Sequence, residues 1–284
     1  MPDRHTHYKP AQLPPLKRHK PTPDMSDTSF FDDFGRCIPT RATSAVHTKT
    51  RRYFICQQPV IDYAEIHARL VKHLGAGLEI SPDEFAERAR AIHARLEADP
   101  QTRNINRGVG IPFILPRTRV PDIGALLDER YLPAVGRAFQ EKFPDYSFTN
   151  HHQTGLTGRL SILPGSRHQK LLDAMSERDV VGVYFPAFSE YSIPAAVEQL
   201  AALPDNFLLS GGFDTAAALV AAPDLLLRTD GYPPLLWLGA LASEKEGIGY
   251  QFEAYGYNLA FNRRPHLGQA AEYWANGITL LEQS

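Results

Sequence analysis

The sequence predicts an α/β protein with a mixed sheet: central parallel βα units, antiparallel strands near the C-terminus, and a helical segment ahead of both. Three observations predict it. Between residues 158 and 223, three short apolar runs starting at Leu160, Val180 and Phe207 each lead into a stretch with helical spacing. Residues 250–261 alternate apolar and polar positions over much of their length, the period of antiparallel strands. Residues 61–98 carry two runs of apolar positions at three- and four-residue steps.

Taken in order, residues 1–24 hold six prolines, three histidines and five Lys/Arg against two Asp. So few large apolar groups cannot offset the entropy of ordering, so residues 1–50 read as a disordered or loosely docked arm. Met25 would also open the chain acceptably. Within the arm, residues 10–20 pair prolines with basic charge and suit contact with a protein partner. Phe30, Phe31 and Phe34 are its anchors on the body.

Residues 51–284 form a single α/β domain, with a sub-boundary near residue 145. The β-branched and aromatic run 52–57 reads as a first strand stopped by Pro59. Ile66, Leu70 and Leu74 mark a helix. Ser81, Pro82 and Glu84 supply an N-cap, a first-turn proline and a capping-box acid for the next helix, to about Ala98. An apolar stripe from Ile123 to Phe139 marks another helix, which Pro133 must kink or divide. After Pro223, residues 224–228 and 234–241 read as two strands joined at Asp230-Gly231, Gly256 marks a bulge or bend, and residues 267–281 read as a final helix.

Composition narrows function without assigning it. A chain of 284 residues, 43% hydrophobic and 22% charged, is ordinary for a globular protein. A formal net charge of −2 gives no field to attract nucleic acid, and the absence of a long apolar run argues against a membrane. Two cysteines make neither a disulfide framework nor a metal-ligand pattern, which fits the cytoplasm, and the sequence points to no metal and names no cofactor.

Candidate site residues gather where apolar runs end. His151 and His152 follow the run at Tyr146 and offer imidazoles for proton transfer, although neighbours on a strand face opposite ways. Glu253, among the aromatics of residues 250–261, is a general-base candidate. Arg159, Ser166, Arg167 and His168 lie about a turn leading into a helix, where free amides suit an anion, although Ser166 also reads as a plain N-cap. Asp214 follows a Gly-Gly turn, and Glu190 follows the Val180 run; all meet at one edge if the strands run parallel. Arg103, Arg107, Arg117 and Arg119 flank a glycine-bearing loop at Gly108 whose spacing matches neither a phosphate loop nor a dinucleotide fingerprint. The resulting expectation is a small-molecule-binding protein, in its leading form an enzyme acting on a small phosphorylated or carboxylated metabolite by acid/base chemistry. The alternative is a non-catalytic interaction or ligand-binding protein that uses its basic proline-rich arm.

Overall fold

A computed structural model describes residues 29–49, 51–77 and 79–283. The partner contact expected of residues 10–20 lies outside the described residues.

The first two helices form where their caps are encoded. Helix α1 (Tyr63–Leu74) starts at Asp62, whose carboxylate accepts the Ala64 and Glu65 N–H groups, and ends at Gly75 with a left-handed φ of 60°. Helix α2 (Pro82–Ala98) starts at Ser81, whose hydroxyl accepts the Glu84 N–H at 3.1 Å. Strand β1 (Ile111–Leu115) follows. The stripe predicted after Pro121 is a continuous helical run in three parts: α3 (Ile123–Leu126), a π-helical turn (Leu127–Tyr131), then α4 (Leu132–Lys142), in which Pro133, lacking an N–H, directly follows the wider π turn.

The remaining elements are β2 (Phe148–Asn150), β3 (Leu160–Ile162), α5 (Gln169–Glu177), β4 (Val180–Ser189), α6 (Ile193–Leu200), β5 (Phe207–Leu209) and α7 (Gly212–Ala221), then β6 (Leu235–Trp237), β7 (Leu241–Ser243), β8 (Ile248–Tyr255), β9 (Asn258–Pro265) and β10 (Trp274–Leu281). Eight strands make one mixed sheet in the order β1-β4-β10-β6-β8-β9-β2, with β5 also on β10. Strand β10 is its centre. One edge pairs antiparallel with β4; the other is parallel to β6 and then antiparallel to β5. Strands β4 and β5 therefore run the same way with β10 inserted between them, so β4-α6-β5 is a crossover unit that spans one strand. Strand β3 lies apart, antiparallel to β7 in a two-stranded sheet. The hairpin β8-β9 pairs along its whole length, and Gly256, at φ 62°, turns it instead of bulging it.

Two readings are corrected. Residues 274–281 are the central strand, not part of a helix; buried on both faces, they lack the apolar/polar alternation that marks a half-buried strand. Residues 224–228 are turns packed by Leu225 and Leu226, not a strand.

Two apolar cores lie on opposite sides of the sheet. On one, α1, α4 and the wholly buried α7 pack together, and α7 meets β1 and β4; its alanines allow that approach. On the other, α6 packs with Phe31 and Cys37, both fully buried, so residues 29–49 belong to the packed body. The segment predicted as a strand at residues 52–57 makes only an isolated bridge among the described residues, Phe54 to Tyr232.

Candidate functional site

Below the end of β4 the chain encloses a cleft of about 190 Å³, lined from four segments: residues 34–36, 52–58, 107–109 and 185–190. The first is a tight turn. Asp32 Oδ1 accepts the N–H groups of Phe34 and Arg36, each at 2.9 Å, and Gly35 takes φ 77°. A Cβ on Gly35 would lie 2.5 Å from Gly108 N, so glycine is required for the turn to seat on the 107–109 loop. The 52–58 segment is anchored at its end by Gln58, which accepts from Gly110 N at 2.8 Å and donates to Gly110 O at 3.2 Å.

Three guanidinium groups line this cleft. Arg36 is committed: it donates to Ser189 O at 3.1 Å and His47 O at 3.3 Å, and pairs with Glu190 at 3.2 Å. Arg107 pairs with Asp33. Arg52 has no ion pair among the described residues and lies 3.6 Å from the centre of the Phe34 ring, a cation–π contact. One positive charge is thus left without an ion-pair partner among the described residues. The backbone is also unusual. Four non-glycine residues among those described have a left-handed φ, and two of them, Arg52 at 53° and Glu190 at 69°, line this cleft. Such conformers cost of order 1–3 kcal/mol and cluster where function holds them.

The cysteines of this region are poor nucleophiles. Cys56 lines the cleft and is half-buried by surface area, yet its surroundings are dense enough that burial pushes the thiol up to about 12, against a smaller downward pull from Arg228. Burial likewise pushes Cys37 up to about 12.

Of the residues singled out by sequence, Glu190 belongs to this cleft. Ser166, His168 and Asp214 do come together, but as closed packing. Ser166 Oγ accepts the His168 N–H at 3.3 Å, His168 Nδ1 lies 3.1 Å from Leu209 O, and a Cβ on Gly211 would stand 2.6 Å from His168 Nε2. Asp214 is fully buried and caps α7. Arg167 holds the 203–207 turn through the carbonyls of Leu203, Pro204 and Phe207.

The acid/base candidates are divided. His151 is exposed, and its N–H bonds Phe261 O. His152 is buried against Tyr250, with ring centres 5.2 Å apart, and its Nε2 lies 2.9 Å from Gly155 O. Burial raises the neighbouring Asp128 carboxyl, while the Leu156 N–H and the His152 imidazole pull it down. Glu253 is three positions beyond Tyr250 on β8 and so faces the opposite side of the sheet, paired with Arg264 at 2.6 Å and Asn262 at 2.9 Å. His152 and Glu253 therefore do not share a site. Arg159 bonds Thr154 at 3.3 Å and faces Glu244 at 3.8 Å.

Arg36, Arg52 and Gln58 were missed by sequence reasoning. The Asp32-x-x-Gly35 turn was the available signal for the first. Among the described residues, no helix is long and apolar enough to cross a membrane. Comparison with protein-family models, curated proteins and solved structures finds no match in any of the three.

Proposed function

We propose that the chain binds a small anionic metabolite, phosphorylated or carboxylated, in the cleft beneath the end of β4. The observation that carries this reading is Arg52: a guanidinium at the cleft with no ion-pair partner among the described residues, held in a left-handed backbone and stacked on Phe34. A guanidinium presents a fork of donors that matches a carboxylate or phosphate edge. Arg107 supplies a second fork once its exposed partner Asp33 yields to a stronger anion.

The chemistry of the cleft is recognition. Glu190 is already paired with Arg36, and Cys56 stays a neutral thiol, so neither is poised to move a proton at neutral pH. The acid–base reading would instead centre on His152 and Asp128, which do not line this cleft.

The test is a thermal-shift and calorimetric titration with inorganic phosphate, pyrophosphate, glycerol 3-phosphate and succinate. A ligand that binds the native state alone raises the melting temperature by mass action. At least one probe is expected to bind, with affinity falling tenfold or more in Arg52→Ala, the scale of a lost charge-assisted contact of about 1.5–3 kcal/mol. Exposed Arg117, outside the cleft, serves as the control, and Arg117→Ala should bind as the parent does. Silence from every probe, or binding that survives Arg52→Ala, refutes the proposal.

A further inference from the structure

We infer that a second cavity, an aromatic cup of about 500 Å³ beside the β8-β9 hairpin, is a carbohydrate-binding site. Its walls are the rings of Phe54, Tyr232, Tyr257 and Tyr273, and its polar side chains are Arg228, Thr229 and Glu253. The walls are preformed. Phe54 stands 5.9 Å from Tyr232 and 5.8 Å from Tyr273, centre to centre. Yet Tyr232, Tyr257 and Tyr273 remain 54%, 43% and 37% exposed. Aromatic faces left open to water around a concave site are the expected partners of a ring with an apolar face and polar edges.

Charge decides the ligand class. Glu253 is neutralised by Arg264 at 2.6 Å, and Arg228 by Asp230 at 3.1 Å. A cation would find no unpaired carboxylate inside the aromatic walls, and an anion no unpaired guanidinium. A neutral ligand is favoured over both. The polar groups offer mixed hydrogen-bonding capacity: carboxylate oxygens of Glu253 as acceptors, and the hydroxyl of exposed Thr229 as donor or acceptor. The Arg228 side chain is only 8% exposed and is fixed by donating to Ile55 O at 3.1 Å. Each hydroxyl of a sugar both donates and accepts, so a vicinal diol satisfies acceptor and donor together, while its C–H face covers a tyrosine ring. A single-stranded nucleic acid would also stack on tyrosines, but its phosphates need a positive track that these paired charges do not supply.

The test is saturation-transfer NMR and calorimetry on the full chain with glucose, N-acetylglucosamine, maltotetraose, cellotetraose and chitotetraose. Saturable binding of at least one saccharide is expected, weakened at least tenfold in Tyr232→Ala and Tyr273→Ala and severalfold in Glu253→Gln. Tyr255→Ala, at the most exposed tyrosine among the described residues and outside the cup, should bind as the parent does. Circular dichroism confirms that each variant is folded. Failure of all five saccharides, or saccharide binding unaltered by both tyrosine variants, overturns the inference. So does binding of tetramethylammonium or of oligo-dT that is lost in Tyr232→Ala while no saccharide binds. Phosphate binding at the first cleft has no bearing on any of these outcomes.

Discussion

Asp214 sits in a glycine-bearing turn at a strand end, the position of a ligand-binding acid, but its surroundings assign it a different task. The residue is fully buried. Its Oδ1 accepts the Gly211 N–H at 2.8 Å and the Thr215 N–H at 3.1 Å, and its Oδ2 accepts the Thr279 hydroxyl at 2.6 Å. Thr279 in turn lies 2.8 Å from the Ser210 hydroxyl, so one carboxylate ties the start of α7 to central strand β10. Asp214→Ala strands three buried donors. At about 1–3 kcal/mol for each unsatisfied group, discounted because neighbouring losses do not add, the expected cost is about 3–6 kcal/mol. At roughly 2–4 °C per kcal/mol for a body of this size, the melting temperature should fall by about 6–24 °C. Asp214→Asn is the informative partner. The amide oxygen can still accept both N–H groups, and if Thr279 and Ser210 rotate their hydroxyls, the amide N–H can donate to Thr279; the expected cost is about 1 kcal/mol. Urea unfolding of both variants measures the difference. A cost below about 1 kcal/mol for Asp214→Ala, or equal costs for the two, would refute this account of the network.

Two further outcomes follow from titrating groups. Glu198 accepts from the backbone and hydroxyl of both Thr43 and Ser44, and these bonds, that with the Ser44 hydroxyl foremost, hold its carboxyl down at about 2 against an ordinary 4.5. A depressed carboxyl stabilises the folded state above its unfolded value and loses that contribution as pH falls, so docking of residues 40–47 should weaken between pH 4.5 and about 2. Hydrogen exchange of the Thr43 and Ser44 amides should show this, and Glu198→Gln should show the weakened docking already at pH 7; protection that stays flat to pH 2 would count against it. Burial keeps Cys37 and Cys56 as neutral thiols, each near 12, so iodoacetamide at pH 8 should label neither until urea unfolds the chain, and labelling of the native protein at the rate of a free thiol would contradict this.

The parts of the fold legible in the sequence are those whose cause is local. Ser81 caps α2 and Pro133 follows a π turn within the 121–143 stripe because a cap and a missing N–H act within one helical turn. The α/β class was legible for a similar reason, as the alternation of residues 250–261 survives as the β8-β9 hairpin. Strand β10 was misread because its cause is distant. Gly277 would weaken a helix and a strand alike; what requires it is the Tyr184 ring on β4, which a Cβ would meet at 2.2 Å. The register shift between Asn276 and Ile278 falls at this glycine, where the pairing with β4 bends to fit that ring.

The cleft was less legible still, because no single segment contains it. Arg107 and Gly108 stood out as an arginine beside a flexible loop, but nothing near them in sequence indicates that Gly35 seats on that loop. Glu190 is the sharpest case. Glutamate has no preference for a φ of 69°, so its neighbours give no sign of that conformation. The constraint comes from both ends of the chain: its N–H donates to Trp274 O at 2.6 Å, its carbonyl accepts the His47 N–H at 2.9 Å, and its carboxylate faces Arg36 at 3.2 Å. Those contacts offset the roughly 1–3 kcal/mol that the backbone costs there. A carboxylate placed by residues 36, 47 and 274 together becomes visible only when the sheet has closed around β10 and residues 29–49 have packed against it.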